Sequence, residues 1–473
     1  MELEPVIGLE VHAQLDTETK IFCGCSTQFG SPPNENTCPV CLGLPGALPV
    51  LNERAVELAL RAALALECRI PPDSTFARKN YFYPDLPKGY QISQYDRPLA
   101  VEGRLNINGR DIRIRRIHME EDAGKLLHED SDASYVDLNR AGVPLIEIVS
   151  EPDLRSPEET HLYLKNLKAI LQFCGISEAN MEEGNLRCDA NISIRSAGSK
   201  ELGTRVEIKN LNSFKNVQKA LEYEFERQKR VVETGGEIEQ ETRLFNTDLI
   251  QTVSMRTKEE AQDYRYFPDP DLLPLVVDVD LLQRLRQSLP ELPRAKRERF
   301  EKQYQLSRVD AETLTEDNAI AEFYEETARL TGDPKQSANW IMRDVLEKVK
   351  TEGVQLKQLK IGPPHLASLI QLIRQNRINN VQAKEVFQDM CLSGKMADAI
   401  VMEKGMSQIS DFESVNHYIE RVFAENPELE KRYQSGETKL EGVLVGLVMR
   451  LSGGKANPKL VNKLIRNRTG LKE

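Results

Sequence analysis

What this 473-residue chain lacks narrows its class before any motif is read. It has no apolar run near the roughly 20 residues that a membrane span requires. The acidic opening Met1-Glu2-Leu3-Glu4-Pro5, followed by a strand pattern, does not read as a signal peptide, so a cytosolic protein is expected. Eight cysteines are too few for a disulfide scaffold, and four of them fall within 19 residues, which points to metal rather than to disulfides. Also absent are G-x-x-x-x-G-K-[ST], G-x-G-x-x-G after a strand, and the G-x-S-x-G elbow. The stretch Ser452-Gly453-Gly454-Lys455 lacks the first glycine of a phosphate loop and reads as a turn. A nucleotide bound here would have to be held by side chains and metal. Basic charge is scarce as well: 63 Lys+Arg against 74 Asp+Glu gives −11, which taken alone argues against a nucleic-acid binder. The scarcity is uneven. Residues 431–473 carry ten Lys/Arg and three Asp/Glu, a surplus of seven, which leaves −18 on the preceding 430 residues. Such asymmetry points to a nucleic-acid or membrane contact at the basic end.

Hydrophobic residues at 40% are enough for a sizeable core, and the length suggests about three domains. Residues 1–293 read as α+β with a mainly antiparallel sheet. From Val6 to Leu15 the chain alternates, with Ile7, Leu9, Val11, Ala13 and Leu15 on one face and Gly8, Glu10, His12 and Gln14 on the other. Further strands are expected over 112–117, 144–149, 186–194 and 204–209. Asn52 caps a helix reaching about Glu67, and Ser156-Pro157-Glu158-Glu159 opens another that reaches about Cys174. After Leu289-Pro290-Glu291-Leu292-Pro293 the pattern becomes helical: 294–304, 310–315, 320–331, 333–352, 363–375 and 380–390. An all-α domain is expected over 294–405 and a small helical tail domain over 406–473. In the tail, residues 442–451 form an apolar helix, and Asn457 caps a second one that stops near Gly470. Lys459, Lys463 and Arg466 share a face of that last helix.

Two groups of residues carry chemistry. Cys23 and Cys25, then Cys38 and Cys41, are short-spaced pairs able to converge on a tetrahedral zinc ion with no open position, hence in a structural role. The alternative is four unliganded thiols in loops. The second group lies on strand faces. Alternation places Glu10 beside His12; Arg187 beside Asp189, Asn191 and Ser193; and Arg205 beside Glu207 and Lys209. Glu147 interrupts an otherwise apolar strand, and His118 and Glu120 end another, next to Glu121 and Asp122. Carboxylates with histidine suit a hard divalent metal, and nearby Arg and Lys suit phosphates, a set of parts fit for phosphoryl transfer. The competing explanation is the solvated face that antiparallel sheets often keep.

The blocks IGLEVHAQL (7–15), RKNYFYPDLPKGYQISQYD (78–96), HMEEDAGK (118–125), DLNRAGVPLIEIVSEPD (137–153), MEEGNLRCDANISIR (181–195), EIKNLNSF (207–214) and DYRYFPDPDL (263–272) resemble the B-subunit family of the aspartyl/glutamyl-tRNA(Asn/Gln) amidotransferases. The resemblance runs the length of the chain, and the C-terminal GVLVGLVMRLSGGKANPKLVNKLI resembles the family's helical tail module. It implies a cradle-shaped catalytic domain, a helical domain and a tRNA-contacting tail. It also implies ATP- and Mg²⁺-dependent phosphorylation of the side-chain carboxylate of Glu on tRNA(Gln) or Asp on tRNA(Asn). Ammonia, channelled from glutamine hydrolysed by a partner amidase A subunit, then displaces the phosphate, and a small C subunit joins the two in a heterotrimer. On this resemblance Glu10, His12 and Glu121 bind metal, with Glu147 and Asp189 as further ligands or supports and His118 and Glu120 behind them. Lys79, Arg187, Arg205 and Lys209 serve the phosphates and the activated carboxylate. Tyr81, Tyr83 and Gln91 shape the acceptor-end pocket, and Lys455, Lys459, Lys463 and Arg466 meet tRNA. The rivals are a zinc-stabilised tRNA-binding scaffold whose partner holds the catalytic residues, and a free-standing RNA-binding protein built around the tail.

Overall fold

A computed structural model describes residues 2–128, 133–256, 263–406, 412–435 and 437–469, without the side chains of 128, 256, 438, 468 and 469. The chain divides into two compact units, Met1–Lys296 and Arg297–Glu473.

The first unit is built on an eight-stranded sheet. From one edge its strands are Gln251–Arg256, Glu241–Asn246, Val206–Lys209, Leu186–Ser196, Leu3–Gln14, Pro144–Ser150, Arg110–Glu121 and Ala100–Ile107. Every neighbouring pair is antiparallel except Val206–Lys209 with Glu241–Asn246. The alternation of the first strand decides which face is buried. Ile7, Leu9, Val11 and Ala13 join Ile146, Ile148, Ala190, Ile192 and Ile208 in one apolar cluster, covered by helices Glu53–Ala65, Pro157–Phe173 and Phe214–Glu233. Burying one face of each strand in this way leaves the polar alternates together on the opposite face.

The capping residues act as expected. Asn52 Oδ1 accepts from the amides of Arg54 and Ala55, and Ser156 Oγ accepts from Glu159 N. The helix Phe214–Glu233 was not anticipated. Its buried stripe begins apolar, with Val217, Ala220 and Leu221, and continues polar, with Glu224 and Gln228. Glu224 accepts from Arg227, from Gln228 Nε2 at 2.9 Å and from Thr252 Oγ1 at 2.8 Å, so this half of the helix is anchored by an ion network on the 241–256 hairpin.

In the second unit the single helix expected over 333–352 is three segments: Pro334–Trp340, a π-helical turn Ile341–Val345, and Leu346–Glu352. The Leu346 amide reaches back to the Ile341 carbonyl, and this wider turn keeps Trp340, Ile341 and Val345 all on the buried side. Residues 415–465 have an apolar cluster of their own, including Val415, Ile419, Phe423, Tyr433, Leu444, Val448, Val461 and Ile465. The tail boundary expected at 405/406 lies just before residues 407–411, which are outside the described residues, as is the stop expected at Gly470. Among the described residues no helix is long and apolar enough to cross a membrane.

Candidate active site

The register of the sheet brings the polar residues into line. His118 lies opposite Glu147, Glu147 opposite His12, and His12 opposite Arg187, one row across four strands. The next row along the first strand pairs Glu10 with Asp189. A bulge between Ile114 and Arg116 makes the first row possible. Before it Ile112 and Ile114 face the core; after it Ile117 and Met119 do, so Arg116, His118 and Glu120 turn to the polar face.

His12, Glu120 and Glu147 present one donor atom each within 4.8 Å of one another, a set able to hold a divalent cation. His12 Nε2 is 3.4 Å from Glu120 Oε1 and 3.8 Å from Glu147 Oε2. Behind them His118, 3% exposed, has Nε2 at 2.7 Å from Glu147 Oε2, and Ser93 Oγ donates to Glu120 at 3.3 Å. Burial works to lower the His118 imidazole, but the hydrogen bonds and charges of Glu120 and Glu147 prevail and raise it to about 9. Burial likewise works to raise Glu147, and His118 with His12 and Arg116 holds it down at about 2. The cluster is therefore two carboxylates whose charge is offset in part by an adjacent imidazolium, leaving it an excess of negative charge.

Glu10 and Asp189 are pushed the other way. Burial, reinforced by the charges of Glu147, Glu207 and Asp189, raises Glu10, whose Oε1 accepts from Asn191 Nδ2 at 3.1 Å. Burial also raises Asp189 against the pull of Lys209 and His12. Lys209 Nζ sits between Asp189 at 3.5 Å and Glu207 at 3.3 Å. Arg187 pairs with Asp122, which also accepts from Gln14 Nε2 at 3.0 Å. Arg205 is exposed just before the Val206–Lys209 strand.

A small sheet of Ala77–Asn80, Tyr90–Ser93 and Phe267–Pro268 borders this face. Lys79 Nζ lies 4.7 Å from the ring centroid of Tyr264 and 5.7 Å from that of Tyr81, and Tyr266 stacks on Tyr95 at 4.2 Å. Burial, with the charge of Glu120 next, raises the phenols of both Tyr81 and Tyr266, which places them beside the carboxylates. Tyr83 is exposed, and Gln91 is buried with its amide donating to the Glu121 carbonyl at 2.7 Å.

Two residues occupy different positions from those expected. Glu121, expected to ligate beside His12, pairs with Lys88 and accepts from Ile92 N at 2.8 Å, because it lies on the strand face opposite Glu120. Glu120, expected behind the ligands, is one of the three residues of the donor group itself. Period-two alternation from His118 carries that signal, since it places Glu120 and not Glu121 on the histidine's face. Sequence reasoning missed Tyr264, Tyr266 and Ser93; the alternating aromatics of Tyr264-Arg265-Tyr266 were the available sign.

The four cysteines Cys23, Cys25, Cys38 and Cys41 form a second group whose sulfurs lie within 4.8 Å of one another. Cys38 and Cys41 sulfurs are 3.9 Å apart, close to the ~3.8 Å edge of a tetrahedron with Zn–S bonds of about 2.3 Å. The donor set thus fits zinc. Loop 34–36 is tied to the 136–139 loop by Asn34 Nδ2 to the Val136 carbonyl at 2.9 Å and Asn36 N to Asn139 Oδ1 at 2.8 Å.

In the second unit, Asn457 Oδ1 accepts from Lys459 N at 3.0 Å, which starts helix Pro458–Thr469. Lys455, Lys459, Lys463 and Arg466 are all exposed, and Arg466 Nε donates to Glu441 at 2.8 Å.

These features are those of a two-part protein, a carboxylate-bearing sheet domain followed by a helical module, and comparison with known proteins agrees. Residues 5–283 match the family model described as the GatB/GatE catalytic domain, and residues 322–468 match the GatB domain. The chain is 56% identical to the B subunit of the aspartyl/glutamyl-tRNA(Asn/Gln) amidotransferase of Thermodesulfovibrio yellowstonii over 98% of this chain and 99% of that one. It is 53% identical to the protein of the same name from Persephonella marina over the same shares, and 50% identical to that of Chlorobaculum tepidum over 99% of each chain. The chain belongs to the family of the B subunit of this glutamine-hydrolysing aminoacyl-tRNA amidotransferase, a ligase of protein biosynthesis.

Proposed function

We propose that this chain carries the ligase half of the reaction. It activates the side-chain carboxylate of Glu-tRNA(Gln) or Asp-tRNA(Asn) at the expense of ATP and passes it to ammonia, giving Gln-tRNA(Gln) or Asn-tRNA(Asn) in the cytosol. The observation that carries this reading is the row His118–Glu147–His12–Arg187 with Glu120 above it: a hard-metal donor set flanked by cations on the polar face of one sheet. A carboxylate is a poor electrophile until its oxygen becomes a leaving group, and phosphoryl transfer needs mainly positioning and charge neutralisation.

His12, Glu120 and Glu147 would hold Mg²⁺, with Glu10 and Asp189 on the adjoining row as further ligands or supports. Bound there, the ion would supply Lewis-acid neutralisation of the phosphoryl oxygens. Arg187 and Lys209 now pair with Asp122 and with Asp189 and Glu207; exchanging these partners for phosphate oxygens would bring two cations onto the transferring group. Lys79, held over two tyrosine rings, and exposed Arg205 would complete the cationic rim. Tyr81, Tyr264, Tyr266 and Tyr95 form an aromatic wall suited to shielding an activated acyl group from water. The chain's own residues supply no acyl-transfer motif for glutamine hydrolysis, in keeping with ammonia delivered by a partner A subunit in a heterotrimer with a small C subunit. The four cysteines would hold a structural zinc ion, and the basic face of the last helix would meet tRNA.

The test is amide formation on misacylated tRNA with free ammonia, ATP and Mg²⁺, which bypasses glutamine hydrolysis. Glu10→Ala or Asp189→Ala should abolish it while tRNA binding persists. Full activity in either variant would reject the assignment.

A further inference from the structure

Lys20 is one of the least expected residues in the first unit. It is 1% exposed, and a buried ammonium is costly unless paired with opposite charge. Among the described residues no carboxylate pairs with it. Its ammonium meets the Asn36 carbonyl at 2.7 Å, the Leu138 carbonyl at 3.2 Å and the Cys41 sulfur at 3.7 Å. Two of these are neutral dipoles, so the partner able to carry negative charge is the cysteine.

The backbone around Lys20 belongs to the same construction. Its N–H donates to the Cys25 carbonyl at 2.9 Å, and the next amide, Ile21 N, donates to the Gly142 carbonyl at 2.9 Å. One residue thus touches both cysteine pairs: Cys25 through its backbone and Cys41 through its ammonium. It also bridges the loop between the pairs, at Asn36, to the neighbouring loop at Leu138. Four thiolates around a divalent ion carry a net charge of −2, and a cation within reach of one sulfur reduces it by half.

We propose that Lys20 is the counter-ion and positioning residue of the four-cysteine metal site. It offsets the excess negative charge of the thiolates and holds the 36–41 loop over the ion. This inference rests on the reading that the four sulfurs bind zinc, and it makes a prediction that a merely structural lysine would not. With zinc bound, the ammonium faces the full excess charge of the thiolate set. Without zinc nothing holds four thiolates together, and the same ammonium keeps at most one charged sulfur as compensation. Removing the positive charge should therefore harm the loaded protein far more than the metal-free one.

The experiment compares the full chain with Lys20→Met and Lys20→Gln, the latter keeping a donor for the two carbonyls while losing the charge. Zinc is titrated against a chromogenic chelator, and melting is followed in zinc-loaded and chelator-treated samples. The expected results are a 10- to 100-fold weaker hold on zinc in both variants, as for other groups that support metal ligands, and a melting temperature lowered when loaded but little changed when chelated. Zinc bound by either variant as tightly as by the unmodified chain would overturn the proposal. Equal melting losses in the loaded and chelated states would overturn it too, since they would mark a simple bridge between carbonyls. If the unmodified chain itself failed to bind zinc, the metal reading would fall first, a result distinct from either of these.

Discussion

Among the described residues the first unit holds two clusters of metal-ligand type, and they are built by opposite means. His12, Glu120 and Glu147 stand on three adjacent strands, where ladder hydrogen bonds set their spacing and the side chains need only follow the pleat. Cys23, Cys25, Cys38 and Cys41 stand in loops, where the spacing is set by turns, by Lys20 and by whatever the sulfurs bind. The strand cluster is charge-balanced in part by His118 and reachable from solvent, with His12 exposed by 23% and Glu147 by 12% at the side chain. The cysteine cluster is closed once four sulfurs are engaged. A pre-set, accessible donor group suits reversible binding of metal and substrate; a closed set carried on loops suits a staple. Catalysis and stability should therefore separate between them.

The largest effect should come from the strand cluster. On the proposed function, His12→Ala or Glu147→Ala removes a donor to an ion that would be worth several kcal/mol to the transferring phosphoryl group, about a thousandfold or more in rate at 1.36 kcal/mol per decade. Ammonia-dependent amidation should fall by that factor; the melting temperature should be little changed in His12→Ala, whereas Glu147→Ala, which also takes the nearest partner from buried His118, should melt lower. A rate within tenfold of the unmodified chain would erase the contrast between the clusters. His118→Ala comes next. It keeps all three donors but removes the hydrogen bond that orients Glu147, so a 10- to 100-fold loss of metal affinity is expected, recoverable with excess Mg²⁺. No recovery at high Mg²⁺ would mean that His118 acts on substrate rather than through Glu147.

Much of this arrangement was legible from residue order alone. Period-two alternation separated Glu10 and His12 from Ile7, Leu9 and Val11, and it also linked Arg187 with Asp189. Capping residues placed the helices at Glu53–Ala65 and Pro157–Phe173 within two residues. What alternation could not supply was register, because which residue faces which depends on partner strands far away in sequence. The bulge at Arg115–Arg116 is the plainest example: two consecutive arginines break the pattern, but only pairing with Val149 reveals which side His118 then faces. The helix Phe214–Glu233 escaped for another reason. Two of the five residues in its buried stripe are Glu224 and Gln228, with Glu224 paired to Arg227 and Arg243 and hydrogen-bonded by Thr252, so its hydrophobic period fades where its packing does not.

A smaller effect on turnover is expected at the cysteines. Cys41→Ser removes one thiolate and the charged partner of Lys20, so the loop from about 20 to 50 should exchange amide hydrogens faster and be cut more readily by protease. The strand donors are held by ladders that do not include this loop, so amidation per folded molecule at 25 °C should fall by less than about tenfold, well short of the loss in His12→Ala. A thousandfold loss would place the cysteine cluster within the catalytic machinery and break the distinction drawn between the two sites.

The smallest change should come from outside both clusters. Lys459 and Lys463 project from the exposed face of helix Pro458–Thr469, whose other side buries Val461, Leu464 and Ile465. Arg466, one turn on, already donates to Glu441, so the two lysines are the better probes of a phosphate contact. Each contact with a nucleic-acid phosphate releases condensed counterions and adds roughly 0.7–0.9 to the slope of log affinity against log salt. The double variant Lys459→Ala and Lys463→Ala should thus lower that slope by about 1.4–1.8 for misacylated tRNA. Across a fourfold rise in salt it should lose about tenfold less affinity than the unmodified chain. Turnover at saturating tRNA should stay the same, because neither lysine lies on the sheet that bears the donors. An unchanged slope would make the basic surplus of residues 431–473 a solvated helix face, and a drop in saturated turnover would mean that the tail does more than hold the substrate.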